Sequence, residues 1–127
     1  MNPPSSTYRL QLGPQFTFDK ARAVVHYLAD LGISHIYASP VFSAKTGSLH
    51  GYDVVDFRSI SPELGAEEGF RALVTLVHAC GLGWIQDFVP NHMSYGRENT
   101  MLMDVLERGA DSRFFSFFDI EWDHPHE

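Results

Sequence analysis

Two segments with a helical period alternate with three short stretches of strand character, and this order restricts the fold more than any other feature of the chain. Thr7-Tyr8-Arg9-Leu10-Gln11-Leu12 alternates polar and apolar side chains and stops at Gly13-Pro14, as a strand closed by a turn does. From Phe18 to Leu31, the residues Ala21, Val24, Val25, Leu28 and Leu31 recur at the spacing of one helix face. Thr17 stands at the N-cap position, Asp19 falls in the first turn and Gly32 suits the stop. Ile33 to Ala38 reads as a second strand, halted by Ser39-Pro40. Ala66 to Cys80 carries Phe70, Leu73, Val74 and Val77 on one helical face and ends at Gly81. Leu82 to Phe88 is nearly continuously apolar, as in a strand covered on both faces. The βαβαβ order predicts parallel strands at about Thr7–Leu12, His35–Ser39 and Leu82–Phe88, joined by right-handed crossovers.

The stretch from Phe42 to Gly65 breaks the pattern with Gly47, Gly51, Pro62 and Gly65, and reads as a long loop. Its aromatic and histidine content favours a functional loop over a disordered one. Beyond His92, a short helix is expected from Asn99 to Arg108, with Met101, Leu102, Val105 and Leu106 on its apolar face. Phe114-Phe115-Ser116-Phe117-Phe118 is expected to be core, and Cys80 a small buried hydrophobe.

Composition removes several function classes. At 127 residues, 44% hydrophobic and 20% charged, the chain has the make-up of one globular domain at most. A net charge of −7 with only 9 scattered Lys and Arg argues against nucleic acid as a partner. No apolar run approaches the roughly 18 residues of a membrane span, so no membrane partner is expected. Met1-Asn2-Pro3-Pro4-Ser5-Ser6 has neither a basic patch nor an apolar core, so no secretory signal is expected either. Cys80 stands alone and permits no internal disulfide. The expected location is the cytoplasm.

Chemistry-bearing side chains gather at two points. Asp87-Phe88-Val89-Pro90-Asn91-His92 places a carboxylate, a carboxamide and an imidazole at the carboxyl end of the third strand. In parallel α/β barrels that rim holds the ligand. His50-Gly51-Tyr52-Asp53 places a second imidazole, a phenol ring and a carboxylate in the loop after the second strand. Two readings stay open from the residues alone. Asp87 and His92 serve as structural groups of a turn, or they bind a polyhydroxylated ligand whose hydroxyls both donate and accept. Tyr52 plugs the top of the barrel, or offers a flat face to a sugar ring. His50, Asp53 and His92 form no HExxH or tight HxH motif, so no metal or other cofactor is expected.

Gly51-Tyr52-Asp53 and Asp87-Phe88-Val89-Pro90-Asn91-His92 resemble the first signatures of the α-amylase-type glycoside hydrolases. The finer resemblance is to the maltooligosyltrehalose synthase branch. It is carried by Thr7–Leu12, Leu31–Pro40, Gly47–Asp56, Gly81–Met93 and Met103–Leu106. The resemblance implies a retaining enzyme that turns the reducing-end α-1,4 bond of a maltooligosaccharide into an α,α-1,1 bond, on a (β/α)₈ barrel. It further implies that Tyr52 stacks on the sugar, that His92 binds its hydroxyls, and that Asp87 and Asn91 hold the loop. His50 and Asp53 fall within the same substrate-binding motif.

The same resemblance marks what is missing. The family's nucleophile, its acid/base Glu and its third carboxylate follow the fourth, fifth and seventh strands, and a whole barrel takes roughly 250 residues. The expectation is therefore an N-terminal fragment with about three of the eight βα units of a TIM barrel. Residues 1–127 would form this part of the barrel, with an inserted region starting after about residue 93, and no catalytic residue of its own. Gly13-Pro14-Gln15-Phe16-Thr17 is no phosphate loop, which removes a nucleotide-binding βαβ module. Another α-glucan-active amylase or glucosidase, or a non-catalytic glucan-binding module, stands as the alternative.

Overall fold

The computed structural model describes residues 3–123, so Met1, Asn2 and the last four residues of the expected 1–127 domain lie outside it. The chain divides after Ser94 into two compact units. In the first, β1 (Thr7–Leu10), β2 (His35–Ala38) and β5 (Gly83–Gln86) form a sheet in the order β1-β2-β5, all parallel. Arg9, Tyr37 and Ile85 share one register row. Side chains alternate across a strand, so Arg9, Tyr37, Ile85 and Asp87 line one face. Leu10, Ile36 and Ala38 occupy the other and are buried against the helices.

The expected helix over Phe18–Leu31 is present in two pieces, α1 (Phe18–Arg22) and α2 (Val25–Asp30). The ladder tightens at Val24, whose N–H donates to the Ala21 carbonyl three residues back at 3.1 Å. Two consecutive β-branched residues, Val24 and Val25, sit at this break, where helix propensity is poor. Most of the apolar stripe survives it: Phe18, Ala21, Val25 and Leu28 are buried and Val24 half-buried, whereas Leu31, expected on the same face, is 53% exposed. Thr17 takes the N-cap position without a side-chain cap bond. The second crossover, α3 (Ala66–Ala79), buries Leu73 and Val77. The ring of Phe70 bridges Phe18 (centroids 5.7 Å) and Trp84 (5.6 Å), so α1, α3 and β5 share one core. Cys80 is half-buried beside that core, with Sγ 3.5 Å from His26 Nδ1, so it is not the wholly buried residue expected.

The segment from Phe42 to Gly65 is not a plain loop. It holds an antiparallel hairpin of β3 (Phe42–Ala44) and β4 (Val54–Ile60), followed by a single 3₁₀ turn at Pro62–Leu64. Register shifts interrupt the pairing on either side of Ser43. Such irregularities disturb the ladder, and the glycines and proline around it masked the β-forming run Val54-Val55-Asp56-Phe57. β5 is also less buried than its composition predicts: all four of its residues are half-exposed. Among the described residues it pairs with β2 alone, so one of its edges has no strand, and no closed barrel is formed.

Gly83 faces His35 across the β2–β5 ladder. A Cβ on Gly83 would come within 2.1 Å of the His35 ring, which is buried and held by Ser34 Oγ at 2.9 Å from Nδ1. Gly83→Ala is therefore expected to destabilise the unit by about 1–3 kcal/mol, the usual cost of overpacking, read as a lower thermal midpoint. A melting curve like the parent's would show that the imidazole moves aside freely.

The second unit contains α4 (Thr100–Arg108), capped by the buried Asn99, whose Oδ1 accepts from the Leu102 N–H at 3.0 Å. Met101, Leu102 and Val105 are buried as the spacing predicts, whereas Leu106 is 46% exposed. The aromatic cluster beyond it is not core. Phe117 is 63% exposed, and the rings pack on one another: Phe114 on Phe117, and Phe115 on Trp122.

Candidate functional site

Two oxygens and a guanidinium meet at the carboxyl end of the parallel sheet. Asp87 follows β5 directly, and its backbone N–H donates to the Ala38 carbonyl at 2.9 Å, extending the β2–β5 ladder by one step. Its carboxylate oxygen Oδ2 accepts from Arg9 Nη1 at 3.0 Å and also from the Tyr52 hydroxyl. Arg9 Nη2 reaches the same Tyr52 oxygen at 3.1 Å, which closes a triangle. The Arg9 guanidinium also lies over the Tyr37 ring, 4.6 Å from its centroid. Beneath, Gln86 Nε2 donates to the carbonyls of Ser39 and Asp87 at 3.0 and 2.9 Å and ties the strand end to the β2 turn.

Charge in this cluster follows from geometry. Desolvation pushes the Asp87 carboxyl upward, yet hydrogen bonds from Tyr52 and Arg9 outweigh it and hold the group below the usual carboxylate range. The Asp87 hydrogen bond, seconded by desolvation, pushes the Tyr52 phenol up, against the pull of Arg9. Desolvation opposes the Arg9 charge, but its bonds to Asp87 and Tyr52 prevail and raise it. Asp87 is thus an ionised anchor rather than a proton donor. Its stabilising ion pair with Arg9 is present above the ordinary carboxylate pKa of about 4 and is lost only as pH falls further.

Tyr52 sits in the turn between β3 and β4, and Gly51 sets its approach. Gly51 has φ +78°, and a Cβ there would lie 3.1 Å from the Pro40 carbonyl oxygen, so both backbone and space call for glycine. The Tyr52 N–H donates to His50 Nδ1 at 3.0 Å, and the two rings run nearly parallel with centroids 5.9 Å apart. His50 Nδ1 is therefore an acceptor, and its 3.8 Å separation from Asp53 Oδ1 is no hydrogen bond. Asp53 instead accepts from the Ser48 hydroxyl and braces the turn.

His92 joins the two clusters. Its Nε2 donates to the Tyr52 carbonyl at 3.0 Å, and its Nδ1 lies 2.7 Å from Asn91 Oδ1. The six residues singled out by sequence thus fall into a tight pair, Tyr52 with Asp87, and three supports around Tyr52, namely His50, Asn91 and His92. Asp53 stands one step away. Arg9 and Tyr37 carried no assigned role in the sequence reading. The signal for Arg9 lay in the alternation of Thr7-Arg9-Gln11, which places its side chain on the site face of β1.

A cavity of about 570 Å³ lies elsewhere: Phe42, Arg58, Ile60, Glu67, Phe70 and Arg71 line it between β4 and α3. It shares no residue with the Arg9–Tyr52–Asp87 triangle. The triangle sits on an open sheet face, so enclosed volume is a poor guide to it. Among the described residues, no three His, Cys, Asp or Glu side chains gather as a metal site would need, and no helix is long and apolar enough to cross a membrane.

The chain is 44% identical over 128 residues to a putative maltooligosyl trehalose synthase of Mycobacterium tuberculosis, across 95% of this chain and 17% of the relative. The structure of maltooligosyltrehalose synthase from Arthrobacter ramosus superposes with a TM-score of 0.90 at 41% identity, over 94% of this chain and 16% of that one. An intracellular maltogenic amylase of Bacillus subtilis is 42% identical over 94 residues, which is 74% of this chain and 15% of the relative. The chain thus spans about one sixth of the length of the relatives it matches. The family described as the alpha amylase catalytic domain matches residues 23–125, which include the Tyr52–Asp87–His92 site. On that match, the chain belongs to the α-amylase catalytic-domain family.

Proposed function

We propose that residues 1–127 form the N-terminal part of the catalytic barrel of a cytoplasmic maltooligosyltrehalose synthase, with an inserted region beginning after about residue 93. The whole enzyme is a (1→4)-α-D-glucan 1-α-D-glucosylmutase that rebuilds the reducing-end α-1,4 bond of a maltooligosaccharide as an α,α-1,1 bond. The observation that carries this reading is coverage. Likeness to the synthases holds at 41–44% identity over 94–95% of the chain, whereas the maltogenic amylase reaches such identity over 74% only.

In this reading the chain supplies one wall of a sugar subsite. Tyr52 offers the ring face away from His50 to an apolar sugar face, and its hydroxyl stays anchored on Asp87. His92 and Asn91 hold the backbone beneath that ring, and His92 binds a sugar hydroxyl by exchanging Asn91 Oδ1 for it at Nδ1. His50 and Asp53 shape the turn. The reaction breaks the glycosidic bond by attack of a carboxylate, then transfers the glycosyl group to the 1-hydroxyl of the released glucose. The nucleophile and the acid/base belong to later strands of the barrel.

The deciding assay uses the full-length enzyme on maltopentaose. Reducing ends should disappear while no glucose accumulates. A net gain of reducing ends would assign the chain to a hydrolytic amylase instead. His92→Ala should lower kcat and kcat/KM together by on the order of tenfold, as expected for contacts strengthened in the transition state. Unchanged kinetics would leave His92 a turn residue only.

A further inference from the structure

We propose that Arg9 is a positioning residue for substrate binding: through Asp87 and the phenol oxygen it fixes the angle of the Tyr52 ring. This inference rests on the sugar-platform reading of Tyr52. Arg9 does not need to touch the sugar. Its guanidinium is held at three points contributed by three parts of the chain: the Tyr37 ring on β2, Tyr52 in the β3–β4 turn, and Asp87 at the end of β5. A planar fork can serve two oxygens at once, which a lysine ammonium on a flexible stem does less well.

Each edge of the triangle supports the other two. Tyr52 donates its hydroxyl proton to Asp87, and Arg9 donates to both oxygens, so the phenol has one favoured rotation. Asp87 cannot hold the ring alone. Its side chain is only 10% exposed, and without Arg9 the carboxylate would face the phenols of Tyr52 and Tyr37 and no cation. It would then recruit water or turn from its present line, and Tyr52, hinged next to Gly51 at positive φ, would follow. A stacking platform works only at the right tilt, because the sugar is oriented by the ring plane.

The test is a set of variants in the full-length enzyme with maltopentaose as the probe. Arg9→Met should raise KM about tenfold, the scale of one charge-assisted hydrogen bond, with kcat changing less. In a Tyr52→Ala background the same substitution should shift KM by less than about twofold, since residues acting through one group are not additive. Arg9→Lys should fall between, and it serves alone if Arg9→Met does not fold. An unaltered KM in Arg9→Met or Arg9→Lys, or a full tenfold effect that persists without the Tyr52 ring, would overturn the positioning role. Tyr52→Ala with a parental KM would instead overturn the platform reading itself.

Discussion

Incubated alone with maltopentaose, the 127-residue chain is expected to leave the concentration of reducing ends unchanged. Retaining glycosyl transfer needs a nucleophilic carboxylate and an acid/base about 5–5.5 Å apart across the scissile bond. The carboxylates near the site have other engagements. Asp87 is bound by Arg9 and Tyr52, Asp53 by Ser48, and Asp56 by Arg58, whose hydrogen bond holds it below the usual range despite desolvation. General acid–base help alone accounts for about 10²–10⁴-fold in such reactions, and the covalent step supplies more. The open face of β1-β2-β5 also leaves the sugar wet on one side, so the acceptor hydroxyl is not oriented. A reducing-sugar assay checks the claim. Formation of trehalose ends that Asp87→Asn abolishes would place catalysis within these three strands.

Among the residues of this chain, the largest single-substitution effect on the full-length enzyme should come from Asp87→Ala, with kcat/KM lowered by about 10–100-fold. A hydrogen bond to a charged group contributes about 1.5–3 kcal/mol, or about 10–100-fold, and of the two that Asp87 receives, from Arg9 Nη1 and the Tyr52 hydroxyl, the second bears directly on the ring. Their removal leaves a guanidinium facing a phenol oxygen, with the Tyr52 ring anchored by Arg9 only. Asp87→Asn preserves shape but not charge and should cost less. The pH dependence carries its own sign. Because the Asp87 carboxyl sits below its ordinary range, no limb from it should appear between about pH 5 and 8. A limb there that Asp87→Asn removes would show that the Arg9 pairing does not hold it down. Equal kcat/KM for Asp87→Ala and the parent would make the triangle ornamental to catalysis.

Local signals carried most of the fold. Alternation at Thr7–Leu10, the helical stripes of Phe18–Leu28 and Phe70–Val77, and the stops at Gly32 and Gly81 are short-range preferences, and each appears near its expected place. Local rules failed where pairing decides the structure. The β3–β4 hairpin joins residues far apart through an irregular register, which no window of sequence displays. The Phe114–Phe118 rings are as apolar as core residues, yet what surrounds them is not a property of their sequence, and they pack on each other.

The site divides along the same line. The sequence by itself determined which groups are present, and placed Asp87 and His92 together on one strand end, with Tyr52 beside a glycine that must turn. Which of these groups meet was a tertiary matter. Arg9 lies 78 residues from Asp87 in the chain and touches it only because β1 and β5 flank β2 in parallel register. Sheet register converts a distant arginine into the partner of a strand-end carboxylate, and that contact, together with the Tyr52 hydroxyl, holds the Asp87 carboxyl below its usual range.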